Sequence, residues 1–387
     1  MHHSTAPDIS PGMVRLLAIS AGLIVASLYY SQTLIGPISA ATGLSLETAG
    51  LIVTLTQIGY VLGLVFAALL ATSAALALAA ASSSAWMFLA ASLGIGLGSV
   101  AAQVLVPFAA HLSREETRGY NVGKVVSGLL LGIMVARPAA SLIADHGGWH
   151  LVFGLASLAI LMLAFVLRSR LPQRVPAHQL GYGRLIGSLW TLFATTPVLR
   201  RRAAYQAGLF GSFSLFWTVT PLVLASPHFH LSQTGIAIFA LVGMAGAIAS
   251  PVAGRLADQG HTLIATAVAL ALGVIGFALP LIEPASREVA IGILVVASIV
   301  LDMAVAANLV LGQRAIFALG AEVRSRLNGI YFALIFSGGA LGSAAGAWVY
   351  AHHGWHGALL AGMAFPLAGL AYWFSEIAGR PAAFGKA

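Results

Sequence analysis

Long apolar runs follow one another along almost the whole chain, each closed by a short polar stretch. Their lengths suit helices that cross a bilayer, and they lack the strict alternation of membrane β-barrel strands. The pattern therefore predicts an all-α membrane protein. Single spans fall at 14–39, 86–110, 120–143 and 149–167, then at 203–225, 233–254, 262–282, 289–313, 327–350 and 357–378. Residues 48–82 hold what remains of spans 2 and 3. A polar link containing Pro172, Pro176, Gly181, Gly183 and Pro197 separates an N-terminal bundle, 1–168, from a C-terminal six-helix bundle, 203–387. Within that link (169–202), Leu185 to Leu199 mixes Trp190 and Phe193 with flanking arginines. That suits a helix lying on the membrane surface, or equally a solvated linker.

The stretch from Thr48 to Ser84 is only 37 residues long. Two full spans need ~40 residues plus a turn. Between Leu64 and Ala85 there is no Gly, Pro, Asn or Asp to make that turn, and alanine and leucine favour unbroken helix. Two outcomes are open. Two thin spans meet at a tight turn near Thr72-Ser73, with local bilayer thinning. Alternatively, one long tilted helix reduces the twelve-span pattern to eleven. The first bundle is shortened at 64–84 in either case.

The two halves repeat. At an offset of 206, Glu116 meets Glu322, Arg118 meets Arg324, Gly132 meets Gly338, His146 meets His352, and Gly148-Trp149-His150 meets Gly354-Trp355-His356. Nearer the N-terminus, Gly50 meets Gly235 at an offset of 185, so the first half lacks 206 − 185 = 21 residues. Internal repeats between hydrophobic halves are a common plan of secondary transporters.

Composition sharpens this reading. The chain has 387 residues, 59% hydrophobic and 8% charged, with mean hydropathy +0.94. So few charges could not cover a soluble protein of this length. The net charge of +8 is concentrated in connections reached after an even number of crossings. Arg114, Arg118 and Lys124 form one group, and Arg168, Arg170, Arg174, Arg184 and Arg200-Arg201-Arg202 a second. Arg324 and Arg326 form a third, and Arg380 and Lys386 close the chain. This is the positive-inside asymmetry, and it places those loops and the C-terminus in the cytoplasm. No basic face of a folded domain suggests nucleic acid. Zero cysteines exclude disulfides and thiolate metal sites. The first span is read as uncleaved, because it is too long for a signal-peptide core.

Several motifs carry a resemblance. Gly254-Arg255-Leu256-Ala257-Asp258 follows span 8, and the runs Leu28-Tyr29-Tyr30-Ser31-Gln32, Thr54 to Tyr60, Ala102 to Pro107 and Arg324 to Asn328 accompany it. Together with the repeat and the basic link, they resemble the major facilitator superfamily over nearly the full length, and its bacterial drug, sugar or arabinose efflux subgroup in particular. The resemblance implies two pseudo-symmetric bundles and proton-driven export of small organic molecules from a bacterial inner membrane. It also implies that Gly254, Arg255 and Asp258 belong to a gating loop at the inner face. The first half's copy of that loop is absent, and the pair before span 5's proline is Arg137-Pro138 where superfamily antiporters often carry Gly-Pro.

Within the spans, Asp302 lies near the middle of span 10. A carboxylate at that depth costs ~2.5–3.5 kcal/mol, and hydrocarbon favours its neutral form. Asp302 is the candidate proton-coupling site; its plainer role is a hydrogen-bond acceptor in helix packing. Arg137 either lines a wet cavity or stretches to the outer interface as an anchor. Tyr30, Gln32, Gln57, Tyr60, Gln103, Gln206, Trp217, Asn308 and Tyr331 are the other cavity candidates. Scattered donors with aromatic walls suit amphipathic solutes, although polar groups also glue helices together. Gly128, Gly132, Gly338, Gly339, Gly342 and Gly346 form smooth faces for close packing. His146, His150, His352, His353 and His356 mirror the repeat and decorate two equivalent turns, and no metal site is expected there. No nucleotide-binding or hydrolase motif appears, so no cofactor and no enzymatic activity are expected. The expected partners are a small-molecule substrate, protons and the lipid bilayer, with the chain acting as a monomer. A degenerate, non-transporting protein or an uncoupled facilitator remain alternatives.

Overall fold

The computed structural model describes residues 9–64, 69–172, 182–282, 284, 286–320 and 322–378, and no strand occurs among them. Arg174, Pro176, Gly181, Arg380 and Lys386, named above for charge or turns, lie outside the described residues. The helices gather into two compact units. The first takes in Met1–Ser45, Leu51–Val175 and Leu231–Leu241, and the second Leu46–Gly50, Pro176–His230 and Val242–Ala387.

In the first unit, α1 (Pro11–Ala26) starts with a proline in its first turn and with Ser10 Oγ accepting from Met13 N at 3.2 Å. Span 1 is not continuous. After Ala26 the chain passes through a 3₁₀ turn (Tyr30–Thr33) before α2 (Ile35–Thr42), which stops at Gly43 with φ 75°.

The 48–82 segment folds as two helices, α3 (Leu51–Gly63) and α4 (Leu69–Ala80). Both pack on α5 (Ala85–Ser99), which meets α6 (Ala101–Leu112) at Val100. Gly59 lies against Leu93 and Gly63 against Leu97, so α3 runs parallel to α5. Thr72 faces Gly98 and Ala75 faces Gly94, so α4 runs antiparallel to it. The two short helices therefore run in opposite directions, and a single tilted helix is ruled out. Thr72-Ser73 lies inside α4 (Leu69–Ala80), which corrects the turn expected there. Those hydroxyls serve packing instead: Thr72 is fully buried, and Ser73 Oγ donates to Ser157 O at 3.0 Å. At 1.5 Å per residue, the 13 and 12 residues give helices of about 20 and 18 Å, shorter than a bilayer core of ~30 Å.

The repeat is visible in backbone geometry. α7 (Glu115–Arg170) bends at Gly148, φ 73°, and α14 (Arg324–Ala378) bends at Gly354, φ 64°, with 354 − 148 = 206. Only glycine takes this left-handed conformation without strain. The side chains repeat too: His146 Nδ1 meets Leu142 O at 2.9 Å, and His352 Nδ1 meets Trp348 O at 2.8 Å.

The second unit opens with α8 (Tyr182–Thr195), a helix in the link that leaves Ile186 and Trp190 exposed. It continues with α9 (Pro197–Ala225) and with the end of α10 (Gln233–Gly243), followed by a 3₁₀ segment (Met244–Ile248). α11 (Ala249–Asp258), α12 (Thr262–Ala278) and α13 (Arg287–Phe317) lead to α14.

Small residues set the tightest seams in both units. A Cβ on Gly128 of α7 would stand 2.7 Å from Ala18 C in α1, and a Cβ on Gly338 of α14 would stand 2.8 Å from Ala207 C in α9. No backbone yields at such contacts cheaply. Gly338→Ala is expected to destabilise the second unit by ~1–3 kcal/mol. Gly329→Ala, in the same helix with open space around it, should gain ~0.4–1 kcal/mol. Thermal unfolding of the purified variants checks both signs.

Candidate functional site

Two polar centres stand inside the membrane-length helices, one in each unit. In the first unit, Arg137 of α7 is 3% exposed. Its Nε donates to Gln32 Oε1 at 2.7 Å, and its guanidinium lies 5.3 Å from the centroid of the Tyr29 ring. Thr33 Oγ1 donates to the Arg137 carbonyl at 3.3 Å. The side chain turns into the unit, so the outer-interface anchor considered from sequence does not describe it. Gln32 and Thr33 of the 3₁₀ turn, and Tyr29 just before it, reach Arg137 where span 1 is broken. Tyr30 is partly buried beside them. On α3, Gln57 and Tyr60 are buried, and Gln103 of α6 is a hydrogen-bond partner of Tyr60. Ser27 and Ser99 pair across α1 and α5 at 3.0 Å, a contact that the sequence reading did not single out.

In the second unit, Asp302 stands fifteen residues from either end of α13. Trp217 Nε1 of α9 donates to Asp302 Oδ1 at 3.2 Å. The 3₁₀ segment after α10 comes close because Gly246 has no side chain; a Cβ there would stand 2.5 Å from Asp302 Cβ. A fully buried tryptophan and a part-buried carboxyl thus share one hydrogen bond at mid-helix. A second network lies two turns along α13. Asn308 Nδ2 donates to Gln206 Oε1 at 2.8 Å, and Gln206 Nε2 donates to Val305 O at 3.2 Å. Tyr331 of α14 is fully buried, with its hydroxyl against Gly312.

The loop residues lie at the end of α11. Gly254 is buried and faces Arg314, Arg255 is exposed, and Asp258 forms an ion pair with Arg314 near the end of α13. The pair is 53% and 58% exposed, so water screens it. Asp258→Asn is expected to cost no more than about 1 kcal/mol in thermal unfolding.

Another charged cluster at the start of α9 was not recognised in the sequence. Arg202, read there as one of three loop arginines, is buried. It pairs with Glu376 at 3.5 Å and donates to Thr266 Oγ1 at 2.8 Å, while the Tyr205 hydroxyl donates to Glu376 at 2.9 Å.

A helical membrane chain with a two-fold repeat and buried polar centres has a clear relative among known families. The family model described as Major Facilitator Superfamily matches residues 17–316. The chain belongs to the major facilitator superfamily. The uncharacterized transporter YgaY of Escherichia coli O157:H7 is 36% identical over 95% of this chain and 96% of its own length. A probable transporter of Streptomyces coelicolor is 28% identical over 88% of this chain and 82% of its own. Among solved structures, a mutant of the nucleoside transporter NupG superposes with a TM-score of 0.72 at 13% identity, covering 95% of this chain and 99% of that one. A bacterial homologue of the human lysosomal transporter Spinster, inward-facing and occupied, gives 0.71 at 13%, covering 95% and 97%. These likenesses establish the superfamily fold for the chain and make it a secondary transporter by family.

Proposed function

We propose that this superfamily member exports small organic solutes, drug-like or sugar-like, in exchange for protons entering a bacterial inner membrane by alternating access. Cytoplasmic placement of the C-terminus and action as a monomer belong to the same reading. The observation that carries it is Asp302 at the midpoint of α13, hydrogen-bonded by Trp217 Nε1. A carboxyl group at that depth can hold a proton in hydrocarbon-like surroundings and release it when the site is wetted. The tryptophan N–H serves either protonation state, because an acceptor lone pair on Oδ1 is present in both.

The test uses purified protein in vesicles with a pH-sensitive dye inside and a panel of neutral and charged solutes outside. At least one solute should move protons, and an imposed pH gradient should set the direction of its net flux. A solute that moves with no response to the gradient would leave an uncoupled facilitator. The short α3 and α4 favour a second reading, a folded protein that does not transport; no solute would then move in any arm.

A further inference from the structure

The amide network of the second unit runs in one direction. Val305 O is a backbone carbonyl and can only accept, so Gln206 turns its NH2 toward it, and Nε2 donates there at 3.2 Å. Gln206 Oε1 is then left to accept from Asn308 Nδ2, at 2.8 Å. Turning either amide over would set oxygen against oxygen, so the carbonyl fixes both. Asn308 ends the chain with Oδ1, which is buried and has no hydrogen-bond partner among the described residues; the residue is 1% exposed. The Tyr331 hydroxyl of α14 is in the same condition, on a residue 0% exposed. It lies against Gly312 of α13, and 312 − 308 = 4 residues puts that contact one helical turn from Asn308, on the same face. A Cβ at Gly312 would collide with the hydroxyl. Glycine inside a helix and a buried hydroxyl without a partner both cost stability. Both are kept here, and they leave an open acceptor and an open O–H one turn apart.

We infer that Asn308 and Tyr331 form a subsite for a hydroxyl group of the solute, whose O–H donates to Asn308 Oδ1 and whose oxygen accepts from the Tyr331 O–H. The inference rests on the transporter reading and narrows its solute class to hydroxylated molecules. The two open groups ask for a partner that both donates and accepts. A carboxylate or an ether oxygen only accepts, and would leave Asn308 Oδ1 unmet. An ammonium only donates, and would leave the Tyr331 proton without an acceptor. A hydroxyl does both from one atom. A site built to bond a hydroxyl discriminates against analogues that lack it, because its own buried groups are then left unpaired. Water carries the same chemistry, and the test separates it from a solute.

The test compares the purified full chain with Tyr331→Phe, which removes the hydroxyl and keeps the ring. Without solute, the unfolding midpoint of Tyr331→Phe should equal or exceed that of the parent, because the lost O–H bonds nothing. A lower midpoint, or a variant that does not fold, would give the hydroxyl a resident partner such as water and overturn the inference. Equilibrium binding is then measured with radiolabelled D-glucose and D-arabinose. At least one should bind saturably, and Tyr331→Phe should weaken it at least about tenfold. The fully O-methylated sugar keeps every oxygen and loses every donor, so it should not compete. No saturable binding of either sugar, equal binding to Tyr331→Phe, or equal competition by the O-methylated form also overturns the inference. Vesicle transport separates the two readings. Proton flux driven only by solutes without hydroxyls would sink the subsite and leave the transporter standing. Sugar binding that needs Tyr331, with no solute moving protons, would do the reverse.

Discussion

Asp302→Asn is expected to abolish the response of transport to an imposed pH gradient while sparing the fold. Asparagine keeps an oxygen where Oδ1 stands, so Trp217 Nε1 retains its acceptor. Its size matches, so the close approach of Gly246 is undisturbed. What disappears is the capacity to bind and release a proton. Solute exchange at equal pH should persist, and gradient-driven accumulation should fall to the level of empty vesicles. Trp217→Phe gives the complement. It removes the donor and leaves the carboxyl, so gradient-driven transport should persist with an altered pH dependence. If Asp302→Asn retains full gradient-driven transport, Asp302 is a packing residue and coupling lies elsewhere.

Arg202→Ala should be the most destabilising single change in the charged cluster of the second unit, at ~3–5 kcal/mol. The cost comes from what is left behind. Glu376 would lose the cation at 3.5 Å while its side chain stays 14% exposed, and Thr266 would lose the donor at 2.8 Å. The Tyr205 hydroxyl at 2.9 Å offsets only part of that loss. Replacing both charges, Arg202→Met with Glu376→Leu, removes the stranded carboxylate. That double variant should be far more stable than Arg202→Ala, because a buried pair exchanged for apolar groups is often near neutral. Thermal unfolding of the three proteins measures the difference. Equal loss in the single and double variants would show that the network as a whole, and not the uncompensated charge, is what matters.

Much of this architecture is legible in the sequence because it follows from spacing. The offset of 206 equates Gly148 with Gly354, and both prove to be left-handed bends between paired helices. The Gly128 and Gly338 faces announce close seams because small residues recur one helical turn apart. The reversal inside 48–82 is harder to place. Thr72-Ser73 is the obvious polar break in an alanine-leucine run, yet inside a membrane bundle those hydroxyls bond across helices. Ser73 uses Ser157, 84 residues away. Breaks in span 1 leave no proline or glycine signal between Ala26 and Leu34, so the exposure of Gln32 to Arg137 is a tertiary fact. Arg202 is hidden for a similar reason. Three consecutive arginines read as one basic patch, but successive helical residues point about 100° apart, and the third is the buried one that pairs with Glu376, 376 − 202 = 174 positions along the chain. Asp302 is the opposite case, since a lone carboxylate in a long apolar run is visible without any structure.

The whole account depends on two crossings being held in the shortened segment, because only then does the first bundle keep the six alternating elements that a transporter of this superfamily uses. The chain has no cysteine, so single replacements can be labelled without background. Thr42→Cys precedes α3, and Ser83→Cys follows α4. Each is probed in intact cells with a thiol reagent that cannot cross the membrane holding the protein, and again after the cells are opened. Two antiparallel crossings predict that both positions label from outside. Labelling of one position from outside and of the other only after opening would mean a single crossing between them, and would contradict the bundle on which the transport mechanism rests.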